Sequence, residues 1–262
     1  MSQHDLEKRR VEITYEVETM SPLHVGTGRG ALGLHRAMLR DDHGVPYIPG
    51  STIKGRARHS AMRICEWMGL PVLGDAAGSD AGGRTPNGPS AERDIPHRIF
   101  GSAWKRCTLR FSDARTAPSM IAERPDDPLR GDDERRFLRE RAHGFREVRT
   151  GAARSRLLGT VSHRRLYQVE VAPPGLVLSG DVCGHLDCRG SSVDIERVEF
   201  LVLWLALLLM VEDGVGGSRS SGSGKLAWAK MEMRVEGDAF APDEGDVAAV
   251  LGMLSSYEAA EG

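Results

Sequence analysis

Every residue from Phe200 to Val211 is apolar, with Glu199 and Glu212 at either end. A helix that is hydrophobic on all sides has to be buried. A bilayer span needs about 20 such residues, so this shorter run predicts a core helix, from about Val193 to Glu212, and no membrane segment. Such a helix requires a sheet beneath it and other elements around it. The sheet is legible at the other end of the chain. There Val11, Ile13, Tyr15 and Val17 alternate with Glu12, Thr14, Glu16 and Glu18, the period of a strand with one face to a core.

Between these landmarks the pattern predicts a first helix from about Thr52 to Met68, with Ile53, Ala57, Ala61, Ile64 and Cys65 on one face. Ala37 to Gly44 reads as a strand and turn, Ile99 to Ala103 as a small turn, and Cys107 to Phe111 as a short strand. Leu166 to Val171, Leu176 to His185 and Leu226 to Val235 read as later strands. Leu73 to Asp94 and Thr116 to Asp133 are polar, Gly- and Pro-punctuated loops. The acidic tail, Asp238 to Gly262, holds a short helix around Val247 to Tyr257. The order strand, helix, strand, long excursion, strand, helix, strand matches a ferredoxin-like (RRM-like) βαββαβ core of the α+β class. We expect one domain over 1–262. Its core lies at about 11–114 and 166–235, with an inserted hairpin at about 115–165 and extended loops.

The formal net charge is only −2, so bulk charge predicts no nucleic-acid binding. Its distribution does. From His143 to Tyr167 the chain carries Arg146, Arg149, Arg154, Arg156, Arg164 and Arg165 against the single acid Glu147. Two short strands with glycine breaks make this a basic ribbon, the electrostatic footprint of an element that binds a nucleic-acid backbone. A solvated loop is the bland alternative.

Two other stretches suit phosphate. In Pro46 to Arg58 a strand meets a helix: Pro49 fixes φ, Gly50 permits a sharp turn, and Ser51 or Thr52 stands where an N-cap belongs. The free N–H groups of a first helical turn suit an anion, and Lys54 and Arg58, four apart, share a face. An ordinary capped helix with a solvated basic face has the same pattern. The loop Gly214 to Lys225 fails as a P-loop, because Leu226 follows Gly224-Lys225 and the loop leaves a helix to enter a strand. It nevertheless exposes many backbone N–H groups beside Arg219 and Lys225.

Other chemistries find little support. Gly26, Gly28 and Gly30 follow a strand but open no helix, so no dinucleotide fingerprint forms. Cys183, His185 and Cys188, with His97 or Cys107, are the candidate zinc ligands, but no C-x-x-C pair exists, and no metal site is expected. Asp41 and Asp42 fall in a turn where Asp is commonplace, and His35 stands alone, so no catalytic set is expected. The cysteines lack a framework spacing and Ser2 to Arg10 has no secretory character. Reduced thiols in a cytoplasmic protein are the expectation.

Taken together, these motifs resemble the RAMP superfamily of CRISPR proteins. Pro46-Tyr47-Ile48-Pro49-Gly50-Ser51-Thr52-Ile53-Lys54-Gly55-Arg56-Ala57-Arg58 resembles its "PyIPGSSlKGalR" signature. Leu23 to Gly28 resembles the loop after its first strand. Ile99-Phe100-Gly101-Ser102 with Phe111-Ser112-Asp113-Ala114 resembles its "LFGs…FsDA" block. Glu147 to Ala153 through Leu166-Tyr167 and Glu170 is similar to the thumb hairpin of the repeated backbone subunit in type III effector complexes. Gly216 to Gly224 resembles the family's glycine-rich loop.

The resemblance implies a subunit that polymerises along a CRISPR guide RNA, with a thumb wedged between segments to displace a base at regular intervals. Residue by residue it implies RNA contacts at His24, Ser51, Lys54, Arg58, Ser218, Arg219 and Lys225, and at Arg149, Thr150 and Arg154 of the thumb. Its implied partners are guide RNA, complementary target RNA, other effector subunits and copies of itself, with no membrane. The family's "I-D-x-P-[IV]-x-[KR]-[DE]" aspartate is replaced here by His35, so a subunit without its own nuclease is expected. The alternatives are a metal-dependent target-RNA endoribonuclease using Asp41 or Asp42, in which case a divalent ion is the one cofactor, and a capping adaptor acting through protein contacts. Relatives carry zinc-binding cysteines before the "LFG" block. Here only His97 stands there, so structural zinc is not expected.

Overall fold

The alternating N-terminal stretch forms a long strand, β1 (Lys8–Thr19), whose odd-numbered residues from Val11 to Val17 are buried. The computed structural model describes residues 8–28, 35–70, 72, 94–102, 106–116, 145–154, 161–187 and 193–245. Most of the 73–94 and 116–133 loops, Cys188 and the 247–257 helix expected from sequence lie outside them. After β1 come α1 (Gly50–Trp67), α2 (Ile95–Phe100), β2 (Arg110–Phe111) and β3 (Arg115–Thr116). The chain continues through β4 (Glu147–Arg154), β5 (Val161–Val171), β6 (Val177–Asp187), α3 (Val193–Asp213), β7 (Leu226–Val235) and β8 (Asp238–Ala239).

β1 runs antiparallel to β6 on one side and to β7 on the other. β2 and β3 pair with β6 at one edge, and β8 pairs with β7 at the other. Counting β2 and β3 as one interrupted strand, the spatial order is fourth, first, third, second, which is the ferredoxin-like sheet expected from the element order. Registered pairs such as Ile13 with Val182 and Met233, and Val17 with Leu178, stack apolar side chains on one face. The other face shows Glu12, Thr14 and Glu16 beside Asp181, Lys230 and Glu232. None of these described residues is aromatic, whereas RNA-recognition-motif sheets hold bases on stacking rings.

α1 and α3 pack together over the apolar face. α1 contributes Ile53, Ala57, Ala61, Ile64 and Cys65, and α3 contributes nearly everything from Val198 to Val211. Phe240, just after β8, covers the outer side of α3 by meeting Phe200 and Trp204 edge-on. This explains how a helix apolar all round is accommodated. Arg98 of α2 pairs with the buried Glu199 of α3 and ties the short helix down.

Local differences from the sequence reading have simple causes. The stretch read as a turn at Ile99 is the end of α2, which Asp94 caps by accepting from the His97 amide and which stops at Gly101 with φ 82°. Ala37 to Gly44 forms isolated bridges rather than a strand, because its neighbours Gly26 and Pro46 each meet it at one residue, and Val169 meets only Arg36 just before it. Of Cys107 to Phe111 only the last two residues pair. Leu166 to Val171 pairs with β4, in a two-stranded ribbon separate from the main sheet.

Candidate nucleic-acid interface

The two stretches that resemble family blocks, one before α1 and one around β2 and β3, meet in space. Ile48 and Ala114 exchange backbone hydrogen bonds at 2.9 and 2.8 Å. Asp113 accepts from the Gly50 amide at 3.0 Å. α1 therefore begins at Gly50, with Pro49 as N-cap, and neither Ser51 nor Thr52 is the cap. The carboxylate of Asp113, distant in sequence, does the capping. A Cβ on Gly50 would stand 2.1 Å from the Phe111 carbonyl oxygen, so only glycine allows this approach. Ser51 is left exposed in the first turn. The positive end of the helix already faces one carboxylate.

The glycine-rich loop is clamped to the loop after β1. Gly217 N–H donates to the His24 carbonyl at 2.8 Å, Gly224 N–H to the Pro22 carbonyl at 2.9 Å, and Lys225 N–H to Ser21 Oγ at 2.8 Å. A Cβ at Gly216 would sit 2.4 Å from the His24 carbonyl oxygen. Ser218 turns the chain with φ 61°, and Ser218, Arg219 and Lys225 are exposed along the rim.

His24 itself is only 5% exposed. Its Nδ1 lies 2.6 Å from the Glu170 carbonyl oxygen, to which it donates. It forms the floor of a cleft of about 420 Å³ walled by Gly26, Gly28, His35, Arg36, Ala37 and Gly217. Any RNA contact by His24 is made from inside this cleft. His35 is exposed at its mouth, and its Nδ1 accepts from the Gln168 amide at 3.2 Å.

The cations of α1 divide into two rows on opposite flanks of its buried stripe. Lys54 and Arg58 occupy the flank toward α2, where Arg58 Nη2 lies 3.2 Å from His97 Nε2 and His97 Nδ1 lies 2.8 Å from Asp94. Arg56 and Arg63 occupy the other flank, beside Asp213 at the end of α3: Arg63 is hydrogen-bonded to Asp213, and Arg56 Nη2 lies 3.6 Å from it. Burial, and next the charge of Arg219, lower the pKa of Arg56, with Asp213 opposing and Arg63 adding to the effect. Arg219 thus belongs with Arg56, not with Lys54 and Arg58. Sequence reasoning missed Arg56 and Arg63. Their spacing of seven, two helical turns, is the signal that finds them.

The ribbon of β4 and β5 is anchored through Glu170, a buried carboxylate that takes Arg40 at 3.1 Å, Arg146 at 2.8 Å and the Met38 amide at 3.0 Å. Burial lowers the Arg40 pKa, with Glu170 opposing. Arg146 is therefore committed to holding the ribbon. Farther out, Arg149 and Thr150 are exposed, with Arg149 Nε on Glu147 at 2.8 Å, and Arg154 ends β4 opposite Val161. Tyr167, a residue the charge pattern does not reveal, lies across Gly151, where a Cβ would meet its ring at 2.4 Å. Arg149 and Tyr167 share one face of the ribbon, a cation beside an exposed ring.

Asp41 is occupied by the turn it closes, its Oδ1 accepting from the His43 and Val45 amides at 3.0 and 2.9 Å. Cys183 and His185 lie two apart on β6, and Cys183 Sγ takes Arg110 at 3.6 Å. Among the described residues no three His, Cys, Asp or Glu side chains are grouped to hold a metal. Nor is any described helix long and apolar enough to cross a membrane.

Residues 16–227 match the family model described as the RAMP superfamily. That span holds β1 from Glu16 onward, both long helices, the ribbon and the glycine-rich loop. No curated protein matches the chain.

Proposed function

The chain belongs to the RAMP superfamily, and from that premise we propose that it is a guide-RNA-binding backbone subunit of a type III-like CRISPR effector. RAMP membership makes it CRISPR-associated, with a role in RNA binding or processing. The finer assignment rests chiefly on one observation. The glycine-rich loop, docked on the loop after β1, carries Ser218, Arg219 and Lys225 exposed, and the charge of Arg219 reaches Arg56 on α1. An exposed basic rim on a clamped loop suits a sugar-phosphate chain better than a compact ligand. The anchored ribbon, with Arg149 and Tyr167 on one face, suits a wedge that parts neighbouring bases.

Target cleavage through Asp41 is disfavoured, because that carboxylate already closes its own turn. The experiment is RNA affinity as a function of salt for the wild type and for the combined alanine variant of Lys54, Arg149 and Arg219. Loss of three phosphate contacts lowers both the affinity and the steepness of its salt dependence. An adaptor acting through protein contacts would show no change in either.

A further inference from the structure

Among the described residues, the guanidinium groups of Arg56 and Arg63 meet one carboxylate, Asp213, and Arg219 adds a third positive charge beside Arg56. Arg63 takes that carboxylate directly and Arg56 stands off at 3.6 Å. Arg219, on the loop that begins one residue after Asp213, is exposed. The Nε and Nη2 atoms of Arg56 are buried and have no hydrogen-bond partner among the described residues. A desolvated cation with unmet donors is costly unless an anion completes it. At the edge of the cluster stands Trp67, 66% exposed, with the Arg63 guanidinium 4.9 Å from the centre of its ring.

We propose that Arg56, Arg63 and Arg219 form a phosphate subsite around Asp213, and that Trp67 stacks a nucleobase of the same RNA strand. The proposal rests on the RNA-binding reading but names residues that the family signature does not: where the signature has "a", this chain has Arg56. Arg63 already occupies one face of the indole, and the exposed face takes the base. The phosphate meets the exposed guanidinium of Arg219 and neutralises the cations behind it, which relieves the repulsion between Arg219 and the desolvated Arg56. The strand then passes from the glycine-rich rim along the far flank of α1 toward its C-terminal end, away from Lys54 and Arg58.

The test has two arms. In the first, the chain is titrated with a uridine homopolymer at several salt concentrations. Arg56→Gln and Arg219→Gln are each expected to weaken binding and to lower the salt slope by about 1. Trp67→Leu is expected to cost about five- to 150-fold in affinity with the slope unchanged, and to remove most of the tryptophan quenching by RNA. Wild-type affinity and slope in all three variants, beside a loss in the Lys54, Arg149 and Arg219 combination, would overturn the subsite while leaving the RNA-binding reading in place. The second arm uses inorganic pyrophosphate alone and reads the rise in thermal midpoint, which needs no RNA. A rise in wild type that Arg219→Gln, an exposed substitution with no packing role, abolishes supports the subsite. No rise in wild type, or an equal rise in the variant, overturns it. A wild type that ignores RNA but shows the Arg219-dependent rise would sink the RNA reading and keep the anion site.

Discussion

Asp113 accepts the Gly50 amide hydrogen at 3.0 Å across 63 positions of sequence, so the start of the first helix is fixed by the break between β2 and β3. The capping acid comes from one block of sequence and the glycine from another. Replacing Asp113 with Ala should cost about 1 kcal/mol, the usual worth of a cap. Gly50→Ala should cost more, since its methyl would have to displace the Phe111 carbonyl. Urea denaturation of the two variants checks the order. A Gly50→Ala protein as stable as wild type would contradict the close approach.

Glu170 holds the ribbon to the body through Arg40, Arg146 and the Met38 amide. Glu170→Ala strands the largely buried guanidinium of Arg40 and releases the exposed Arg146, and should destabilise by about 3 kcal/mol, the lower end of the range for breaking a buried pair. Glu170→Gln keeps the shape and should lose less. Hydrogen exchange should show the added opening concentrated in β4 and β5. Uniform loosening of the main sheet would mean that Glu170 is not a local anchor.

The sheet, both long helices and the ribbon were legible because each has a period: two in β1, all-round apolarity in α3, glycine breaks in the arms. Long-range closures carry no period. Nothing local to Ser51 or Thr52 tells that Asp113 will reach Gly50 first, so the cap was misplaced. Lys54 and Arg58 stood out because they lie in the quoted signature and are four apart. Arg56 and Arg63 acquire meaning only when the end of α3 brings Asp213 and Arg219 to them. The burial of His24 carries no local signal, because the glycine-rich loop packed against it lies nearly 200 positions away.

Burial pushes the Cys65 thiol up from an ordinary 9 to about 12, with Asp94 and then Glu66 adding to it. The folded state keeps a proton that the unfolded state loses above pH 9. This contribution to stability is therefore intact below about pH 9 and lost as pH rises toward 12. Tyr15 shifts in the same direction, mainly by burial and then through Asp181 and Asp113. Stability measured from pH 8 upward should fall steeply above pH 9, and less steeply in Cys65→Ala. Native Cys65 should also resist alkylation at pH 8. Rapid labelling there would contradict its burial.

His35 stands at the mouth of the cleft above His24, beside Arg36. In a complex assembled with guide and complementary target, the wild-type chain should make no metal-dependent cuts. His35→Asp places a carboxylate at an exposed, reachable position and should introduce cuts at a regular spacing when a divalent ion is added. Regular cuts by wild type would show that another residue of this chain supplies the acid.

The most direct measurement is a nuclease-protection assay on guide RNA with increasing amounts of the purified chain. A backbone subunit that polymerises along its guide predicts protected fragments that lengthen in equal steps as copies are added, and an alanine variant of Lys54, Arg149 and Arg219 that loses the ladder. A single protected length that stays fixed at saturating chain, or no protection at all, would contradict the account.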